Sequence, residues 1–135
     1  MTALHVLILL VVVMALAFDF VNGWNDSANA IATVIATRVL SPTSAVALAT
    51  LLNLAGAMVG VRVADTMSKI LHTGPAFFPH PETVLLVIVA GLASASLWAA
   101  AMTVLGMPIS GSHSLIGGVV GAGVAAAGGK ALVVQ

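Results

Sequence analysis

The chain has 135 residues, 61% of them hydrophobic and 6% charged, with four Lys and Arg balanced by four Asp and Glu and no cysteine. Soluble domains carry about a quarter charged residues, so this composition excludes a water-facing surface and describes an integral membrane protein, which the apolar spans below make all-α. It also excludes a basic nucleic-acid-binding face, a disulfide scaffold and a thiolate metal site.

A helix that crosses a membrane needs roughly 20 apolar residues, and residues 3–21 supply the first. The "ALA" at 15–17 resembles a signal-peptide cleavage site. No Lys or Arg precedes the run, however, and apolar sequence soon resumes, so a retained membrane segment is expected. The stretch "NGWNDSANAIAT", residues 22–33, then places Asn22, Asn25, Asp26 and Asn29 within very apolar surroundings. The apolar run at 28–37 is too short to span alone. It is expected to be a half-helix, set off by a polar break at 22–27 that includes Gly23, and "SPT" at 41–43 closes the region.

Residues 43–61 form the second span, followed by "VADTMSKIL" as an interfacial extension with Arg62 and Lys69 as anchors. The prolines and Phe77 and Phe78 of the 72–82 loop suit a membrane–water boundary. Residues 83–105 are the third span, in which Trp98 is expected to pack. "GMPISGSHS" at 106–114 interrupts again, and a second short run, "LIGGVVGAGVAAAGG", follows. Gly56/Gly60 and Gly117/Gly121 have the small-xxx-small spacing of close helix packing, and Asn53 is expected to bond to a neighbouring helix.

Broken helices at membrane depth survive only when buried in protein or lining a cavity, and paired interruptions point to a transporter's substrate site. A helix starting near Ser27 would place Asp26 or Ser27 at its N-cap, and its free N–H groups would favour an anion. A carboxylate there repels an anion, a conflict that a bound cation removes: Asp26 with the amide oxygens of Asn25 and Asn29 would suit Na⁺, or Asp26 would carry a proton. Ionisable groups in membrane segments are functional candidates by default. In the second break, Pro108 disfavours helix at Met107, Gly111 permits a tight turn, and Ser110, Ser112 and Ser114 offer hydroxyls. A helix from Ser114 or Leu115 would present a second anion-friendly terminus. His113 is either a packing residue or a ligand and proton carrier. Neither break contains Lys or Arg, so cation and anion are expected to bind together. No nucleotide loop, nucleophile triad or HExxH motif supports an enzyme, and no cofactor is expected.

"GWNDSANA", residues 23–30, resembles the G-x-N-D-x-A-N signature of the inorganic phosphate transporter (PiT) family. "GMPISGSHSLIGGVVGAG", residues 106–123, is similar to that family's second motif, in which Gly111 stands where a hydroxyl residue is usual. The resemblance implies symport of inorganic phosphate with Na⁺ or H⁺, or carriage of phosphate complexed with a divalent metal. It implies two inverted repeats with broken helices and re-entrant hairpins, of which this chain would be the first, N-terminal repeat. Asn25, Asp26 and Asn29 would then contribute to the ion and phosphate site, and Ser110, Ser112 and His113 to a hairpin tip. With no second copy of the motifs, the chain is expected to be a fragment, a half-transporter with a partner, or a subunit that self-associates in opposite orientations. The plasma membrane of a prokaryote is the expected location. A carrier for another oxyanion such as sulfate, and a non-transporting membrane assembly subunit, are the alternatives.

Overall fold

The computed structural model describes residues 2–59, 69 and 76–129. Four helices run through them: α1 Ala3–Ala36, α2 Pro42–Val59, α3 Pro81–Val104 and α4 Gly111–Ala127. The first and third are long and apolar enough to cross a membrane; α2 and α4 are shorter apolar helices. Arg62, Gly60, His72, most of "VADTMSKIL" and the terminal "KALVVQ" lie outside the described residues.

The expected break at 22–27 is absent, because α1 is continuous for 34 residues. Nothing there forbids helix. The stretch has no proline, and its single glycine, Gly23, costs only about 1 kcal/mol relative to alanine. The polar side chains also bond along the helix at the i, i+4 spacing. Asn22 Nδ2 donates to Asp26 Oδ2 at 3.2 Å, and Asn29 Nδ2 to Asn25 Oδ1 at 3.3 Å. Asp26 and Ser27 therefore sit in mid-helix, and neither caps anything. At 34 residues α1 is about 50 Å long, against roughly 30 Å of hydrocarbon in a bilayer.

The other boundaries follow the local chemistry. Past α1, Arg38 is left-handed at φ 58°, with Arg38 N–H donating to Ile35 O at 3.0 Å and Val39 N–H to Val34 O at 3.2 Å. These are the two bonds of a Schellman ending. Ser41 opens α2: its Oγ accepts from Ser44 N–H at 3.2 Å, with Pro42 as the first helical residue. Pro81 likewise begins α3, which stops at Gly106, φ 68°. Gly106 N–H bonds Thr103 O at 3.1 Å and Met107 N–H bonds Met102 O at 2.9 Å, a second Schellman ending. The 106–110 interruption is thus real, but α4 begins at Gly111, a turn earlier than Ser114.

The core lies where α1, α3 and α4 meet, with α2 resting on α1. Phe18, Leu92 and Ala95 are buried there, with Val11, Met14, Ala15, Ile88 and Leu115 packed around them. A second cluster centres on Phe78 and Val87, with Phe77 packed against it. The helices α3 and α4 approach through glycine. A Cβ on Gly118 would lie 2.3 Å from Gly91 O, and one on Gly91 would lie 2.9 Å from Val119 Cα. The expected pair Gly117/Gly121 does not serve this contact; a Cβ on either, or on Gly56, meets nothing within 4 Å. Outside the core the surface is apolar, with Leu16, Phe20 and Leu97 largely exposed. Such a surface suits lipid or further protein.

Candidate functional site

The inner stripe of α1 comprises Val11, Met14, Ala15 and Phe18, and at the same three- and four-residue spacing it continues as Asn22, Asn25 and Asn29. The polar cluster is therefore the C-terminal extension of the packing face. Asn25 is buried at 6% exposure. Its Nδ2 donates to Thr103 Oγ1 on α3 at 3.0 Å, and Thr103 Oγ1 donates to Ala99 O at 2.8 Å. With its Oδ1 accepting from Asn29, Asn25 is a brace between α1 and α3. Asp26 and Asn29 are exposed.

The second motif forms the first turn of α4. Ser110 is its N-cap: the hydroxyl accepts from His113 N–H at 3.4 Å and pairs with His113 Nδ1 at 2.7 Å and Ser112 Oγ at 3.2 Å. Ser114 Oγ donates to Ser110 O at 3.0 Å. The N–H groups of Gly111 and Ser112 lie in the first turn, where an α-helix supplies no carbonyl partner. Pro108 sits in the non-helical approach.

Asn22 joins the two motifs. Its amide lies against Gly111 so closely that a Cβ on that glycine would be 1.7 Å from Asn22 Oδ1. The same Oδ1 is buried without a hydrogen-bond partner, while Nδ2 holds Asp26. The structure thus brings Asp26, through Asn22, to the Ser110–His113 turn. Beside that turn, between α3 and α4, an open cleft of about 490 Å³ is lined by Ser94, Trp98, Ile109, Ser110, His113 and Ser114 with Gly117 and Gly118. Trp98 is 56% exposed and lines this cleft, so it is no core packing residue. Asn53 is also exposed, lining a separate crevice with Ala30, Ile31 and Val34 of α1.

The sequence counts Asn22 in the polar cluster without giving it a role of its own, and it points to neither Thr103 nor Ser94. Asn22 carried a usable signal, since it stands four residues before Asp26. Thr103 lies 78 residues from its partner, and only the fold pairs them. Among the described residues no cluster of three or more His, Asp or Glu could hold a metal ion.

Comparison with known proteins agrees with these motifs. The phosphate transporter family matches residues 22–135. A Mycobacterium bovis protein named "probable low-affinity inorganic phosphate transporter" is 45% identical over 127 residues, 94% of this chain and 29% of its own length. Proteins of the same name from Bacillus subtilis and Streptomyces halstedii are each 43% identical, over 98% and 89% of this chain and 38% and 54% of their own lengths. The chain therefore spans between about a third and a half of these relatives. No solved structure matches it. With both motifs inside the matched region and high identity across almost the whole chain, the protein belongs to the phosphate transporter family.

Proposed function

We propose that this chain forms part of a secondary carrier that moves inorganic phosphate across a prokaryotic plasma membrane, driven by co-transport of Na⁺ or H⁺. Phosphate is held at the N-terminus of α4, by the N–H groups of Gly111 and Ser112 and the hydroxyls of Ser110 and Ser112. A helix N-terminus favours an anion through its free donors and dipole. Asp26 and Asn29 handle the cation, and Asn25 braces the α1 face that presents them. His113, fixed through Nδ1 to Ser110, lines the approach from the α3–α4 cleft. The observation that carries the reading is the Asn22–Gly111 contact, which places the carboxylate-bearing face of α1 against an anion-friendly helix start.

The charge balance supports coupling. Neither motif contributes Lys or Arg, so phosphate arriving near Asp26 meets like charge until a cation neutralises it. The site is also open on one side, with Asp26, Asn29, Ser112 and His113 exposed. A second repeat, on the same polypeptide or another, or an oppositely oriented copy of this chain, closes it.

The test is radiolabelled phosphate uptake into proteoliposomes under an imposed Na⁺ or proton gradient. The expected result is gradient-dependent uptake that unlabelled phosphate suppresses far more than sulfate does. Uptake indifferent to both gradients would count against coupling, and equal suppression by sulfate would favour a general oxyanion carrier.

A further inference from the structure

We propose that Asn22 is a positioning residue that ties the Asp26 carboxylate to the first turn of α4, and that position 111 is glycine because the Asn22 amide fills the space a side chain would need. The inference rests on the reading of Asp26 as the cation-handling group.

Three observations converge. First, the nearest atoms to a Cβ built on Gly111 are all from one amide: Asn22 Oδ1 at 1.7 Å, Cγ at 2.6 Å and Nδ2 at 3.1 Å. Second, Gly111 does not have a positive φ, unlike Gly106 and Gly128. Its conformation is open to any L-residue, and in this chain it is the Asn22 amide that occupies the room a side chain would need. Third, the amide is engaged at one end only. Nδ2 donates to Asp26 Oδ2 at 3.2 Å, whereas Oδ1 is buried without a donor. Buried acceptors are nearly always paired. The Oδ1 that faces Gly111 thus goes without a hydrogen bond while Nδ2 stays on Asp26.

A side chain at 111 has one cheap way to fit. The helix backbones need not separate, because the obstructing group is the movable end of Asn22. The amide swings away and its bond to Asp26 breaks. A substitution on α4 is consequently read at a carboxylate on α1.

The contact itself is testable without transport. The chain contains no cysteine, so the pair Asn22→Cys and Gly111→Cys creates one possible intramolecular disulfide. Asn22 Cγ lies 2.6 Å from the Gly111 Cβ position, which puts the two β-carbons within the roughly 4.5 Å that a disulfide spans. Mild oxidation of the membrane-inserted chain should cross-link this pair efficiently, and the pair Asn22→Cys with Gly117→Cys not at all. Failure to cross-link overturns the inference, whatever the uptake assay gives.

The positioning role is read from kinetics. Gly111→Ala, which keeps the backbone N–H, should raise the cation concentration for half-maximal phosphate uptake several-fold, and by a larger factor than it raises half-saturation by phosphate. Asn22→Ser in the Gly111→Ala background, which removes the obstruction and keeps a donor, should restore part of that loss; Asn22→Leu should not. Unchanged cation dependence in Gly111→Ala overturns the positioning role. Efficient cross-linking with no phosphate uptake under either gradient, even where a second repeat accompanies the chain, would instead sink the transport reading and, with it, any role for the contact in coupling.

Discussion

At the residue scale, the polar cluster divides into side chains that hold the fold and side chains that remain open to ligands. Asn25 belongs to the first kind. It is buried and bonded to Thr103 across the α1–α3 interface. Thr103→Val keeps the shape but removes the acceptor, leaving a buried amide donor unpaired at a cost of about 1–3 kcal/mol. Thermal unfolding in detergent should show that loss, and Thr103→Ser should largely avoid it. Asp26 belongs to the second kind, exposed and touched only by Asn22 among the hydrogen bonds of the described residues. Asp26→Asn is nearly isosteric and can still accept from Asn22, so the protein should insert and melt as the parent does. On the proposed function, gradient-driven uptake should nonetheless fall to background, because the charge proposed to balance the cation is gone. Retained uptake at parental rates would remove Asp26 from the coupling site.

At the element scale, what the sequence disclosed depended on whether a residue physically ends a helix. Gly106 and Pro108 do, and the interruption after α3 was legible from them. Asn and Asp do not, and the polar stretch 22–27, though it looks like a break, stays helical. The better signal is periodicity: Asn22, Asn25 and Asn29 continue the stripe of Val11, Met14, Ala15 and Phe18, and of these Asn22 and Asn25 face the neighbours of α1 without interrupting it. Glycine spacing misled in the same way. Gly117/Gly121 fits the small-xxx-small pattern, but Gly118 makes the contact, with Gly91 O 2.3 Å from its Cβ position. Which glycine faces inward depends on helix rotation, and that is set by Leu115, Val119 and Ala122 packing on α1 and α3. Gly118→Ala should therefore destabilise the α3–α4 pair by about 1–3 kcal/mol through overpacking. Gly117→Ala meets nothing and should be neutral or stabilising by up to about 1 kcal/mol. Parallel melting curves would decide, and equal effects would contradict this rotation of α4.

At the scale of the whole molecule, the described residues bury little and leave their chemistry on an open side. A carboxylate, an amide, a hydroxyl and an imidazole, from Asp26, Asn29, Ser112 and His113, are exposed on a chain whose remaining surface is largely apolar. Facing hydrocarbon, such groups are costly, and ionisable side chains in membrane segments ordinarily face protein or a water-filled cavity. The relatives that match this chain are about one and a half to three times its length, so they have additional chain with which to cover the same face. If that cover completes the site, exposure of the α4 turn should depend on what accompanies the chain. The absence of cysteine makes the comparison clean. Ser112→Cys in this chain alone should react quickly with a membrane-impermeant maleimide. The equivalent cysteine in a full-length relative, with its own cysteines removed, should react more slowly and be protected further by phosphate together with the coupling cation. Equal reactivity in both, without protection by either ligand, would mean that the turn faces water in the assembled carrier and that phosphate binds elsewhere.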